Sequence, residues 1–341
     1  MSERRGILAG GNWILDKIKF LDTYPQQDSL ANIVGETVSN GGGPFNVLID
    51  LAKLGATFPL AGVGLIGEDA EGQWVRQQCA HNGIDTTHLR SQSESPTSYT
   101  DVMMVKSTGR RTFFHCRGAN ARLGPEHFPL ADHSARIFYI GYLLLLDRLD
   151  EPDAEFGTVA ARLLHDAREA GFKTCVDVVS EDGQRFAKIV RPALPYVDYC
   201  ILNELEIERT TGIPTRREGE IDLDAVKRAS RELFAAGVQE WVIVHFPEGA
   251  CATNGLGESF IQPSLQVPDD QIVGTVGAGD AFAAGVLLGL HDELPIETAL
   301  RYGIATATAC LLSAGTSDGI KPLEVCLHHL EAWSFRDLSP Q

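Results

Sequence analysis

Short, largely apolar runs rich in β-branched and aromatic residues alternate along this chain with longer stretches at helical spacing. That alternation narrows the possible folds more than any other feature of the sequence. The runs Phe58 to Leu65, Ile137 to Tyr142, Thr174 to Val179, Tyr199 to Leu202 and Trp241 to Val244 read as strands covered on both faces. Between them Pro44 to Leu54, Ala70 to His81, Thr158 to Ala170 and Leu223 to Ala236 read as helices, each stopping near a glycine: Gly55, Gly83, Gly171 and Gly237. Ala281 to Gly289 and Ile296 to Leu312 add two more helices. The pattern predicts an α/β fold, a mostly parallel sheet sandwiched by helices.

Two segments, 12–40 and 96–117, break this rhythm with alternating, aromatic, threonine-rich sequence. Ser107-Thr108-Gly109 reads as a hairpin turn between Tyr99–Lys106 and Arg110–Cys116. We expect the two segments to form a small antiparallel sheet standing off the main one. The main domain is then 1–11, 41–95 and 118–341.

Charge and composition exclude some partners. With 29 Lys and Arg against 46 Asp and Glu the formal charge is −17, which argues against a nucleic-acid binder. The best candidate span, Ile137 to Leu146, stops at Asp147, well short of a bilayer, so no membrane insertion is expected. Seven scattered cysteines without a CxxC pair fit reduced thiols and a cytoplasmic location.

The most informative local signal is Gly274-Thr-Val-Gly277-Ala278-Gly279-Asp280-Ala-Phe282-Ala-Ala-Gly285. Small residues at 277 to 279 let a ligand approach the backbone, and the helix that follows turns its free N–H groups and positive dipole end toward it. Such a turn suits the charge on a phosphoryl group in flight. A lone Asp280 would read as an N-cap, but beside an anion cradle it is placed to accept a proton from an attacking hydroxyl. Gly41-Gly42-Gly43-Pro44-Phe45-Asn46 again sets glycines before a helix, with Pro44 suited to its first position. Its N–H groups, the Asn46 amide and Asp16 suit the hydroxyls of a sugar, and a plain capped turn reads equally well. Asn203-Glu204-Leu205-Glu206 follows a strand, where carboxylates either meet ligands or simply start a helix. Gly62-Val-Gly64-Leu-Ile-Gly67 matches GxGxxG, but Val63, Leu65 and Ile66 continue the strand pattern, so we read a glycine-rich strand end there. No P-loop, HExxH or GxSxG motif occurs.

These clusters, in this order and at these separations, resemble the ribokinase-like (PfkB) family of carbohydrate and nucleoside kinases over nearly the whole chain. The resemblance implies a Rossmann-like α/β domain with a small β lid. It implies ATP-dependent phosphorylation, with Mg²⁺, of a hydroxymethyl group on a sugar or sugar derivative, or alternatively on a nucleoside. Asp280 matches the family's base, and Gly277, Ala278 and Gly279 its anion hole. Asp16, Gly41, Gly42 and Asn46 match its acceptor-binding elements, with Asn12, Arg111 and Asp147 as further candidates. Asn203 and Glu206 match the NxxE element that orders Mg²⁺ and phosphates through water, and Thr275, His245 and Gly249 are candidates on the nucleotide side. Gly274 stands where the family usually has aspartate, which weighs against the monovalent-cation (K⁺) site near that residue. Tyr99, Phe113 and Phe114 on the lid predict a homodimer formed through it. Specificity is expected from Asn12, Trp13, Tyr99, Arg111 and Phe113. Rival readings are an NAD-dependent oxidoreductase resting on Gly62 to Gly67 and a catalytically silent sugar-binding protein.

Overall fold

A computed structural model of the protein describes residues 4–181 and 185–338. The main sheet has nine strands, in the order Ser259–Pro263, Gly249–Asn254, Trp241–Phe246, Tyr199–Asn203, Lys173–Val178, Ile137–Leu143, Ile7–Gly11, Leu60–Gly67, Asp85–Gln92. From Trp241–Phe246 onward every neighbouring pair is parallel. Only the two strands at the other edge are antiparallel. The α/β layout read from the alternation is therefore the observed one.

Successive strand residues feed opposite layers. Ile7, Ala9 and Tyr139 join a core with the helices Gly43–Leu54, Ala70–His81, Ala278–His291 and Ile296–Leu311. Leu8, Phe138 and Ile140 join a second core with Val159–Glu169, Phe186–Ala193 and Leu223–Ala235. Each fully buried Leu, Ile or Phe side chain among these contributes about 1.5–3 kcal/mol. The glycines after four of these helices all adopt positive φ, and at Gly55 (φ 87°) a left-handed residue lets its own N–H cap the helix carbonyls.

Gly62 and Gly64 lie within the strand Leu60–Gly67, and no helix follows them directly. Trp13 explains them: a Cβ at either position would fall within 2.5 Å of its indole, whose N–H donates to the Val63 carbonyl at 2.9 Å. The GxGxxG match is thus a bed for a buried tryptophan. This removes the feature on which the oxidoreductase reading rested, and it moves Trp13 from the expected specificity residues into the core, where it is wholly inaccessible.

A second sheet has the order Ile33–Gly41, Ile14–Leu21, Ser98–Val105, Arg111–Cys116. Its outer pairs are antiparallel, including the hairpin turning at Gly109 (φ 66°), but Ile14–Leu21 and Ser98–Val105 run parallel. The fully antiparallel sheet expected from the sequence is corrected at this pair. Both excursions leave the carboxyl ends of parallel strands, Ile7–Gly11 and Asp85–Gln92, so their first strands set off in the same direction. Among the described residues no helix is long and apolar enough to cross a membrane, and all seven cysteines are free thiols.

Candidate active site

The carboxyl ends of the parallel strands share one edge of the main sheet, the place where α/β folds bind ligands. Asn12, Tyr142, Asp177 and Asn203 lie at or just beyond four such ends.

Asp280 sits in the first turn of Ala278–His291, but it does not cap that helix. The N-cap is Gly277, whose φ of 79° is left-handed and whose Cβ would lie 2.9 Å from the Thr316 carbonyl. Both conformation and space exclude a larger residue there. The Asp280 carboxylate is buried and accepts from Asn46 Nδ2 at 2.8 Å and from the Tyr142 hydroxyl. Asn46 thereby joins the GGGPFN helix to the GAGD helix across 234 residues of sequence. Its Oδ1 in turn accepts from Asn40, which also donates to Ser317 at 2.9 Å. Burial pushes the Asp280 carboxyl up to about 6, against the two hydrogen bonds that favour its ionised form.

Asp16 lies on the lid strand opposite Thr100. Burial pushes it up to about 7, opposed by the Thr100 hydrogen bond and reinforced by the charge of Asp280. Gly41 faces it so closely that a Cβ there would lie 2.5 Å from its Oδ1, and Gly42 is the N-cap of Gly43–Leu54. Two more acids crowd the same region. Asp177 accepts from the Tyr139 hydroxyl at 2.9 Å and is raised well above the carboxylate range by burial, then by Glu206 and Asp280. Asp50 is wholly buried, and burial raises it strongly too, against the Ser317 hydroxyl and the Lys53 charge that favour its ionised form.

Asn203 and Glu206 form a capping box. Asn203 Oδ1 accepts from the N–H of Leu205 and Glu206, while Glu206 Oε2 accepts from the Asn203 N–H at 2.8 Å. Ser180 donates to Glu206 Oε1 at 2.6 Å. Burial raises Glu206 despite these donors.

Asn203, Thr275, His245, Gly249, Ala278 and Gly279 line one cleft of about 490 Å³ that ends at the GAGD turn. Its other wall is apolar, with Leu265, Val267, Ile304, Ala307 and Leu311. Sequence reasoning did not find this wall, because its residues come from separate elements and carry only a core pattern. Burial brings His245 down to about 4 and so keeps it neutral.

The remaining candidates scatter. Asn12 is fully buried, its Oδ1 accepting from the Tyr142 N–H at 2.6 Å and its amide donating to the Leu145 carbonyl, so it props a loop. Asp147 pairs with Arg117 at 2.7 Å and is about half exposed. Arg111 reaches from the lid to the Thr275 hydroxyl. Tyr99 lies under the Lys17 ammonium, and Phe113 is largely exposed. Asn40, Asp50, Tyr139, Tyr142 and Asp177 were not found from sequence. None belongs to a glycine motif, although Asp50 sits among apolar helix positions where a charge is out of pattern.

The model of the pfkB family of carbohydrate kinases matches residues 16–322. Ribokinase of Arabidopsis thaliana is 28% identical over 298 residues, 86% of this chain and 73% of that protein. The 5-dehydro-2-deoxygluconokinase of Geobacillus thermodenitrificans is 28% identical over 311 residues, 86% of this chain and 85% of that protein. The solved structure of Arabidopsis thaliana ribokinase complexed with ribose and ATP superposes with a TM-score of 0.77 at 22% identity, covering 95% of this chain and 98% of that one. Ribokinase from Giardia lamblia gives 0.78 at 19% identity, covering 95% and 99%. The chain belongs to the pfkB family of carbohydrate kinases, phosphotransferases that act with ATP on a hydroxyl of a sugar or nucleoside.

Proposed function

We propose that this enzyme transfers the γ-phosphoryl group of ATP to a hydroxymethyl group of a neutral sugar or nucleoside. The observation that carries this reading is the junction of Asp280 with Asn46, which sets a buried carboxylate at the mouth of the glycine turn and beside the sugar-binding motif. Asp280 takes the hydroxyl proton as the acceptor oxygen attacks, and the N–H groups from Gly277 to Gly279 stabilise the charge on the phosphoryl oxygens. Asp16, Gly41, Gly42 and Asn46 hold the acceptor's other hydroxyls. The lid, residues 12–40 and 96–117, closes over them and excludes water. Arg111 and Thr275, already bonded across the gap, mark where the lid meets the turn.

Neutrality of the acceptor follows from the pocket's charges. Burial raises Asp16, Asp50, Asp177 and Asp280 there, so added negative charge is disfavoured, and nearby cations are engaged: Arg117 with Asp147, Lys53 with the Ser317 carbonyl, Arg111 with the Thr275 hydroxyl. An anionic acceptor would add such charge.

Asn203 and Glu206 fit a hydrated Mg²⁺. Asn203 lines the cleft with the buried Glu206 bonded behind it, burial disfavours the lone Glu206 charge, and no cluster of three ligands among the described residues would strip the ion of its water. When bound, the ion supplies neutralisation of the phosphate charge. A Cβ at Gly274 would lie 2.9 Å from the Ser313 carbonyl, so an aspartate does not fit there and a K⁺ requirement is not carried over. The lid's two edge strands, one exposed from Ile33 to Val38 and the other carrying the exposed Phe113 and Phe114, are the proposed homodimer surfaces. The free thiols support a cytoplasmic location.

The test is ATP consumption against ribose, fructose, nucleosides and ketogluconates. Turnover with a neutral acceptor is expected. Affinity for a sugar with no turnover across the panel would replace the kinase by a silent binding protein. A monomeric sedimentation profile at micromolar concentration would remove the dimer.

A further inference from the structure

Asp280 has one hydrogen-bond donor that no glycine motif supplies. The Tyr142 hydroxyl lies 2.7 Å from Asp280 Oδ1 and 2.8 Å from Oδ2, while Asn46 donates to Oδ2 alone. A phenol has one proton, so Tyr142 makes one bond shared between two oxygens. Oδ1 is therefore the less engaged of the pair.

The placement of the ring is built from several sides. Gly43 leaves the space it occupies, since a Cβ there would lie 3.1 Å from Tyr142 Cε1 and 2.6 Å from the Tyr139 hydroxyl. Asn12 pins the Tyr142 N–H from behind. The titratable groups around the pair are acidic or neutral: Asp16 from the lid, Asp50 from Gly43–Leu54, Tyr139 from the same strand as Tyr142, Asp177 from the next strand, Glu206 from its helix, Cys310 from Ile296–Leu311, and neutral His245 beside Gly279.

We propose that Tyr142 is a positioning residue for phosphoryl transfer, orienting Asp280 so that Oδ1 receives the proton of the acceptor hydroxyl. The inference rests on the kinase reading above, with Asp280 as base. As the acceptor oxygen bonds to the γ-phosphorus, its O–H bond breaks and the proton passes to Oδ1. The bond from phosphorus to the leaving oxygen of ADP breaks in the same transfer. Tyr142 shifts its shared bond wholly onto Oδ2, so the phenol keeps its proton throughout. Before transfer, the same bond favours the ionised carboxyl among its acidic neighbours.

The experiment compares wild type and Tyr142→Phe over pH 5 to 9, with ATP and the best acceptor from the panel. Loss of one bond to a charged group predicts a fall in kcat of about 10- to 100-fold, with the KM for ATP within about twofold. The acidic limb of kcat moves upward by roughly one pH unit, since a donor to the carboxylate has gone. Gly43→Ala, which crowds the ring and keeps the hydroxyl, shifts the limb in the same direction and carries the test if Tyr142→Phe folds poorly. A kcat within twofold of wild type, or an equal loss at every pH with the limb unmoved, overturns the proposal. A wild type that phosphorylates no acceptor overturns the kinase reading, and this inference with it.

Discussion

The proposed acceptor side of the site and the proposed nucleotide cleft meet at Asp280, yet they are made of opposite materials. On the proposed acceptor side Asp16, Asp50, Asp177 and Asp280 are buried together, and the donors to Asp177 and Asp280 are the neutral Tyr139, Asn46 and Tyr142. On the nucleotide side the far wall is aliphatic, and the anion-binding turn is bare backbone at a helix N-terminus. The comparison shows how a chain of net charge −17 can act on ATP. We expect dipoles of the turn and a hydrated ion at Asn203 and Glu206 to meet the phosphates, beside Arg336 on the cleft wall and Arg111 at the Thr275 hydroxyl. Carboxylates are kept for the partner that has protons to give.

The largest effect should come from breaking the shared point. Asp280→Asn is expected to lower kcat by about 10²- to 10⁴-fold while sugar and ATP still bind, as read by steady-state rates and calorimetry. Turnover surviving within tenfold would remove Asp280 as base and dissolve the division of labour. A smaller effect should touch the cleft alone. Ala307→Phe fills the aliphatic wall and is expected to raise the KM for ATP about tenfold with the sugar KM unchanged; equal changes in both would mean that the two regions are not separate.

The smallest effect concerns the acids. Asp16 and Asp280 have folded values of about 7 and about 6, both raised by burial above the unfolded value near 4. The sign follows: their contribution is fully present below pH ~4 and is lost as pH rises toward ~7. The protein without ligands should therefore melt a few degrees lower at pH 8 than at pH 5, and Asp16→Asn should flatten part of that slope. A melting temperature that climbs across this range in wild type, or a slope that Asp16→Asn leaves untouched, would show that these carboxyls are ionised comfortably.

Legibility from sequence differed between the two regions. The GAGD turn and the GGGPFN turn announce themselves because close backbone approach requires glycine whatever surrounds it, and the strand and helix limits followed the apolar period to within about two residues at most ends. The aliphatic wall was hidden among core residues. Tyr142 was hidden too, since it ends an ordinary buried strand and acquires its role only from Gly43 and Asp280 on two other elements. Asn12 and Asp147 show a related limit. Proximity in sequence to site motifs said nothing about which way their side chains turn.

What the sequence determined alone is the alternation that yields the α/β sheet, the two glycine turns and the excess of acid, because each is a local or additive property of residue types. What only the tertiary structure decided is which acids share a pocket, which tyrosine reaches Asp280, and that two lid excursions pair in parallel. Those depend on how elements distant in the chain meet, and on burial, which alone converts a scattered surplus of carboxylates into a few whose charge is costly enough to do chemistry.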